Sequence, residues 1–125
     1  MNENEIITII LDEAFYVHSK IGPGMLEKVY KACLAHRLRL RGLHVIIEKP
    51  IPIFFDDIIM DCGYKSDIVV ENTIVIEIKC IEAFADIHVA QTLTYLRFLK
   101  LKRGLLLNFK TTSLKNGIKR VVNGY

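Results

Sequence analysis

The sequence predicts an α/β chain of the α+β kind: a mixed β-sheet flanked by helices, in the order α-α-β-β-β-α-β. Three observations carry that expectation. Apolar residues recur at helical spacing through the first forty positions. From Val45 to Cys80 the pattern changes to short runs rich in β-branched residues, punctuated by Asp, Gly and Asn. A helical pattern then returns before a last apolar run, Gly104 to Phe109.

From Glu5 to about Lys20, the spacing of Ile6, Ile7, Ile10, Leu11, Ala14 and Phe15 predicts an amphipathic first helix, ended by Ile21-Gly22-Pro23-Gly24. A second helix is expected from near Met25 to about Leu40. Its buried stripe is Leu26, Val29, Tyr30, Cys33, Leu34 and Leu38, and Gly42 closes it. The strands are read as Val45 to Phe55, Ile58 to Cys62, Tyr64 to Val70 and Ile74 to Cys80, with turns at Asp56-Asp57 and near Asn72. Pro50 and Pro52 place the first of these on an edge or make it irregular, because proline cannot donate to a ladder. A third helix spans about Ala85 to Leu101. After the Gly104 to Phe109 strand, the tail from Leu114 to Val122 fits either a helix or a strand.

A length of 125 residues with 51% hydrophobic and 25% charged side chains fits one domain over 1–125, large enough to hold a core without disulfides or structural metal. The longest stretch free of Asp, Glu, Lys and Arg, Ile87 to Leu96, falls well short of the roughly 20 residues of a membrane span. Glu3 and Glu5 replace the basic start of a secretory signal, so the expected location is cytoplasmic. Cys33, Cys62 and Cys80 lack C-x-x-C spacing and read as reduced, buried thiols. Charge is unevenly placed: residues 1–86 carry nine basic and 14 acidic side chains, whereas residues 87–125 carry eight basic ones and no acid. The basic set of the last third is Arg97, Lys100, Lys102, Arg103, Lys110, Lys115, Lys119 and Arg120, and Lys28, Lys31, Arg37, Arg39 and Arg41 form a second group. That asymmetry suits a polyanion-binding surface, while a merely solvated surface explains charge alone as well.

The chemistry concentrates in two strands, Ser66 to Val70 and Ile74 to Lys79, joined by Glu71-Asn72-Thr73. A three-residue turn sets Val70 opposite Ile74 and therefore Asp67 opposite Glu77, with Lys79 on the face of Glu77. A two-residue turn would set Asp67 opposite Ile78 and spoil the arrangement. The surrounding residues are nearly all β-branched, which implies strands buried on both faces, where paired acids are costly unless a cation lies between them. Magnesium, held by Asp67, Glu77 and the Ile78 carbonyl, answers that need, and Lys79 could orient or help deprotonate a water. Glu27 opens the second helix, where it could be aimed at the sheet; an acid favoured by the helix dipole is the plainer reading. His88, Gln91 and Tyr95 share one face of the third helix, as a substrate-binding or supporting set would. No second His or Cys stands at metal-site spacing, and there is no G-x-S-x-G, P-loop or G-x-G-x-x-G.

These motifs together resemble a known family. Gly24-Met25-Leu26-Glu27-Lys28-Val29-Tyr30 matches the signature of the GxxExxY proteins, which are placed in the PD-(D/E)XK nuclease superfamily. Asp67 and Glu77-Ile78-Lys79 match that superfamily's D…(D/E)-x-K motif, and Gln91-Thr92-Leu93-Thr94-Tyr95 is similar to the Q-x-x-x-Y element of RecB-like nucleases. Gly104 to Phe109 and Ile118 to Val122 are similar to the family's C-terminal end. The resemblance implies a restriction-endonuclease-like domain with a Mg²⁺-dependent phosphodiesterase site, Mn²⁺ substituting. Its acids would be Glu27, Asp67 and Glu77, its catalytic lysine Lys79, and Glu27 would meet the metal directly or through water. Tyr30, His88, Gln91, Tyr95 and Arg97 are the expected substrate-binding or supporting residues. The expected partner is nucleic acid, DNA ahead of RNA, with a homodimer or a partner protein left open. The alternative is a non-catalytic nucleic-acid-binding or regulatory module that keeps the nuclease fold.

Overall fold

The structure, a computed structural model, describes residues 1–124. Helix α1 (Glu3–Ile21) starts on a capping box: the Asn2 side chain accepts from the Glu5 amide at 2.9 Å, and the Glu5 carboxylate accepts from the Asn2 amide at 3.4 Å. It buries Ile6, Ile7, Ile10, Glu13, Ala14 and Val17. Phe15, expected in the stripe, is exposed and Leu11 only half-buried; each residue turns the helix by 100°, which carries Phe15 away from the sheet that Ala14 faces. Helix α2 (Glu27–Leu40) buries Tyr30, Leu34, Ala35 and Leu38. Leu26 is exposed because it precedes the helix as its N-cap, and Val29 and Cys33 sit at the margin of the stripe, half-buried.

Glu13 joins the two helices. Its carboxylate accepts from Arg37 Nε and Arg41 Nη1, both at 2.8 Å, and the Arg37 guanidinium lies 4.1 Å from the centre of the Tyr16 ring. Burial pushes Glu13 up, but the hydrogen bonds from both guanidiniums outweigh it and hold the carboxyl below its usual range. Arg39 donates to the Val45 carbonyl at 2.9 Å. The basic group of α2 is therefore largely occupied inside the molecule.

Five strands follow: β1 (Val45–Pro50), β2 (Ile53–Phe55), β3 (Ile58–Met60), β4 (Lys65–Val70) and β5 (Ile74–Lys79). After helix α3 (Asp86–Leu99) come β6 (Arg103–Asn108), a 3-10 turn (Leu114–Gly117) and β7 (Ile118–Val122). The tail is thus helical turn and strand in succession. The main sheet runs β1-β4-β5-β6-β7, with β2 and β3 forming a separate hairpin. The expected single strand from Val45 to Phe55 is divided because Pro52 has no amide for a ladder and Pro50 closes β1, which lies on the sheet edge. Five strands therefore precede α3, where the sequence predicts four strand ranges and the order α-α-β-β-β-α-β gives three, and two follow it. Strands β4 and β5 are antiparallel with Val70 opposite Ile74 across the three-residue turn, in which Glu71 and Asn72 both have φ of 53°. Strand β6 runs parallel to β5, and α3 supplies the long crossover that a parallel pair requires.

The sheet is covered on both sides. Helices α1 and α2 meet Ile68, Val70, Ile74, Ile76, Ile78, Leu105 and Leu107 on one face, while α3 meets Val69, Val75, Leu106 and Val121 on the other. At Gly104 a β-carbon would come within 3.1 Å of Thr92 Cγ2 and 3.4 Å of Leu96 Cδ1, so α3 lies this close to β6 only because glycine is there. Of the thiols, Cys33 and Cys80 are half-buried and Cys62 is exposed, so none is the fully buried residue expected from sequence.

Tyr30 fixes the junction between α1 and α2. Its ring stacks on Phe109 with centroids 4.5 Å apart, and its hydroxyl donates to the Gly22 carbonyl while accepting from the Met25 amide at 3.1 Å. Gly22 and Gly24 carry the reversal at φ of 75° and 107°. Replacing Tyr30 with Phe leaves both backbone groups without their partner, so Tyr30→Phe is expected to cost about 1–2 kcal/mol in urea unfolding with the circular-dichroism spectrum unchanged.

Candidate active site

The register that sets Val70 against Ile74 would set Asp67 against Glu77, and on the other side of β4 it would set Asp67 against Glu48. Neither pair is part of its ladder: β1–β4 pairing skips from Ile47 to Lys49, and β4–β5 pairing ends at Ile68↔Ile76. Where the ladder stops, the acids themselves take the backbone donors. Glu77 Oε2 accepts from the Asp67 amide at 3.0 Å, and Asp67 Oδ2 accepts from the Ile78 amide at 2.8 Å. Each strand thus holds the other through a carboxylate. Ser66 Oγ adds a third bond to Glu77 Oε2, also at 3.0 Å.

The clasp uses one oxygen of each acid. Among the described residues, Glu77 Oε1 has no hydrogen-bond donor, and Asp67 Oδ1 faces only the Lys31 ammonium at 3.7 Å, too far for a hydrogen bond. Glu77 is only 5% exposed, and burial, followed by the charge of Asp67, pushes its pKa up to about 7 against the pull of the Asp67 amide, Ser66 and Lys79. Near neutral pH this carboxyl is poised between proton and charge, and a cation beside Oε1 would favour the charged form.

The Ile78 carbonyl belongs to the same opening. A strand residue points its N–H and C=O to one side, and the Ile78 amide points at Asp67. The alternation agrees, since the Lys79 carbonyl accepts from Phe109 on the opposite side at 2.9 Å. Lys79 follows Glu77 by two residues on the α3 face of the sheet, is partly exposed, and makes no ion pair among the described residues. Glu27 arrives from the start of α2, and its Oε2 accepts from the Cys80 amide at 3.1 Å. It pins the helix to the end of β5, one residue past Lys79. With Glu27 held there, no three of His, Cys, Asp and Glu among the described residues form a metal-holding group.

Helix α3 contributes unevenly. Tyr95 is buried, and its hydroxyl is pushed up by burial and then by the charges of Glu77, Tyr64 and Asp67, which places it beside the acids. Gln91 and Tyr95 line a cleft of about 310 Å³ with Ile53, Tyr64, Ile87, Ala90 and Thr94. His88 does not reach that cleft: its Nδ1 accepts from the Ala85 amide at 2.8 Å, closing the first turn of a helix whose N-cap, an alanine, has no oxygen to offer. Arg97 stands two residues past Tyr95, about 200° around the helix, and is exposed away from the acids. Tyr30 is buried and holds the loop before Glu27, so it supports the site and cannot touch substrate.

Sequence reasoning missed Glu48, Lys31, Ser66 and Tyr64. Lys31 Nζ lies 3.9 Å from Glu48 Oε1 and 3.7 Å from Asp67 Oδ1. Glu48 has φ of 53°, a left-handed conformation costing a non-glycine residue about 1–3 kcal/mol, and it interrupts the β1–β4 pairing opposite Asp67. Ser66 was the one with a signal, as a small polar residue entering an otherwise apolar strand next to Asp67.

Residues 4–121 match a family model described as the PD-(D/E)XK nuclease superfamily. The chain belongs to the PD-(D/E)XK nuclease superfamily. No curated protein and no solved structure matches it significantly. Members of the superfamily typically use divalent metals. The donors fit such an ion: two carboxylate oxygens outside the clasp, a backbone carbonyl aimed into the same opening, and a buried acid whose pKa a cation would lower.

The raised pKa fixes a sign. Because the folded state holds the Glu77 proton more tightly than the unfolded chain does, the stability tied to it is complete below about pH 4.5 and is lost as pH rises through about 7. Glu77→Gln should remove that slope and exceed the natural protein at pH 8 by on the order of 3 kcal/mol, with no advantage near pH 4. Urea unfolding across pH 4–8 in EDTA measures it; a parallel pH dependence in both proteins would refute the assignment.

Proposed function

We propose that this PD-(D/E)XK protein hydrolyses phosphodiester bonds in nucleic acid, DNA ahead of RNA, with Mg²⁺ as its metal and Mn²⁺ as a substitute. The observation carrying this reading is the mutual clasp of Asp67 and Glu77, which orients both acids by backbone amides and leaves one oxygen of each outside the clasp, on the strand edge toward which the Ile78 carbonyl points. Asp67, Glu77 and that carbonyl would hold the ion, with Glu27 positioning the end of β5 or meeting the metal through water. The bound ion would supply Lewis-acid stabilisation of charge developing on the phosphoryl oxygens.

The chain's own groups do the rest. Lys79, close enough to Glu77 to lower its pKa, orients the attacking water or, as the neutral amine, takes its proton; the alternative is that as an ammonium it stabilises the charge developing on the phosphate. The cleft beside Tyr95, lined by Tyr64, Ile87 and Gln91, receives the part of the substrate next to the reacting phosphate. The short GxxExxY signature, Gly24 to Tyr30, serves as a structural lever in this scheme: Tyr30 sets the loop and Glu27 locks it to β5.

A non-catalytic binding module draws less support, because Asp67, Glu77 and Lys79, which binding alone does not require, are all present, with the two acids oriented by backbone amides. Labelled single-stranded DNA, duplex DNA and RNA incubated with Mg²⁺, Mn²⁺ or EDTA test the reading. Metal-dependent cleavage is expected, with Lys79→Met lowering the rate by about 10²-fold or more while oligonucleotide affinity is retained. Absence of cleavage on all three substrates together with absence of Mg²⁺ binding by calorimetry would overturn it.

A further inference from the structure

The site contains a cation that the proposed reaction leaves without a role. Lys31 projects from α2 with a side chain only 19% exposed, and its ammonium lies between Glu48 and Asp67. The Asp67 oxygen it faces is Oδ1, the one not engaged by the Ile78 amide and thus the one free to bind metal. An ammonium 3.7 Å from that oxygen balances Asp67 while the metal is absent and opposes a divalent ion taking the same oxygen. Glu48 offers the ammonium a second, more exposed acid, with 58% of its side chain accessible, so Lys31 can leave Asp67 without losing every counter-charge. Were an ion to neutralise the acids, Lys31 would be free to turn to an anion bound by that ion, and in the reaction above that anion is the substrate phosphate.

We propose that Lys31 is a built-in counter-cation for Asp67 that metal entry displaces onto the substrate phosphate, so that Lys31 weakens metal binding in the free protein and strengthens nucleic-acid binding in the metal-loaded one. The proposal rests on the metal-dependent reading above and adds a coupling to it: metal and nucleic acid assist one another's binding through one side chain. Lys31 is a substrate-positioning residue in this scheme, distinct from Lys79.

Calorimetric titration of Mg²⁺ alone into the full chain, compared with Lys31→Met and Lys31→Arg, tests the first half. Oligonucleotide affinity in Mg²⁺, measured in the Lys79→Met background to suppress cleavage, tests the second. Lys31→Met is expected to bind Mg²⁺ about tenfold more tightly and the oligonucleotide about tenfold more weakly, whereas Lys31→Arg stays near the parent in both. A purely structural lysine would weaken both or neither. Should Lys31→Met fail to fold, Lys31→Gln carries the same expectation. Unchanged or weaker Mg²⁺ binding in the neutral variant, or unchanged oligonucleotide affinity, overturns the role of Lys31 alone. Absence of Mg²⁺ binding by the parent protein overturns the metal-dependent function itself.

Discussion

Two carboxylates replacing ladder hydrogen bonds between β4 and β5 are the interaction on which the site depends. A sheet interior ordinarily rejects such groups, since each charge left there loses its hydration. Asp67 and Glu77 are accommodated because the ladder ends at Ile68↔Ile76 and leaves amides for them to accept from. The same bonds orient them. Preorganisation and tolerance of burial thus share one cause, and what remains uncompensated, the repulsion between two acids, is the electrostatic condition that a cation relieves.

The rest of the fold serves that opening from both sides. Beneath the sheet, α1 and α2 are tied through Glu13 to Arg37 and Arg41, and α2 then brings Glu27 to the end of β5 and Lys31 to Asp67. Above it, α3 packs closely over Gly104 and sets Tyr95 beside the acids. A 14-residue helix contributing to a core stripe at Tyr30, Leu34 and Leu38 while delivering Glu27 and Lys31 to the site couples packing to chemistry directly. Disturbance of the α1–α2 contact should therefore be felt at the carboxylates.

Much of this was legible in the sequence for a definite reason. Side chains alternate strictly along strands, so one turn length, Glu71-Asn72-Thr73, fixes which residues of β4 and β5 come near each other. The helices were equally readable from their apolar spacing, apart from margins such as Phe15 and Leu26. What could not be read was long-range pairing between segments with no shared periodicity. Nothing local to Lys31 points to Asp67, 36 positions later, and nothing near Arg37 and Arg41 points to Glu13. These cations looked like an electrostatic surface because sequence shows charge but not its partner. The partner of His88 was hidden in the same way: its place on a shared helix face suggested a substrate-binding or supporting residue, and the sequence does not show that its ring accepts from the Ala85 amide.

The hairpin formed by β2 and β3 leaves Phe54, Phe55, Ile58 and Ile59 exposed, and between them stand Asp56 and Asp57 at φ of 48° and 63°. Two short strands with free edges and apolar side chains on both faces are the kind of segment that recruits copies of itself into stacked sheets. The adjacent aspartates act as gatekeepers, since stacking identical hairpins would align their negative charges. The turn that shapes the hairpin thus also guards the chain against stacking on its own copies.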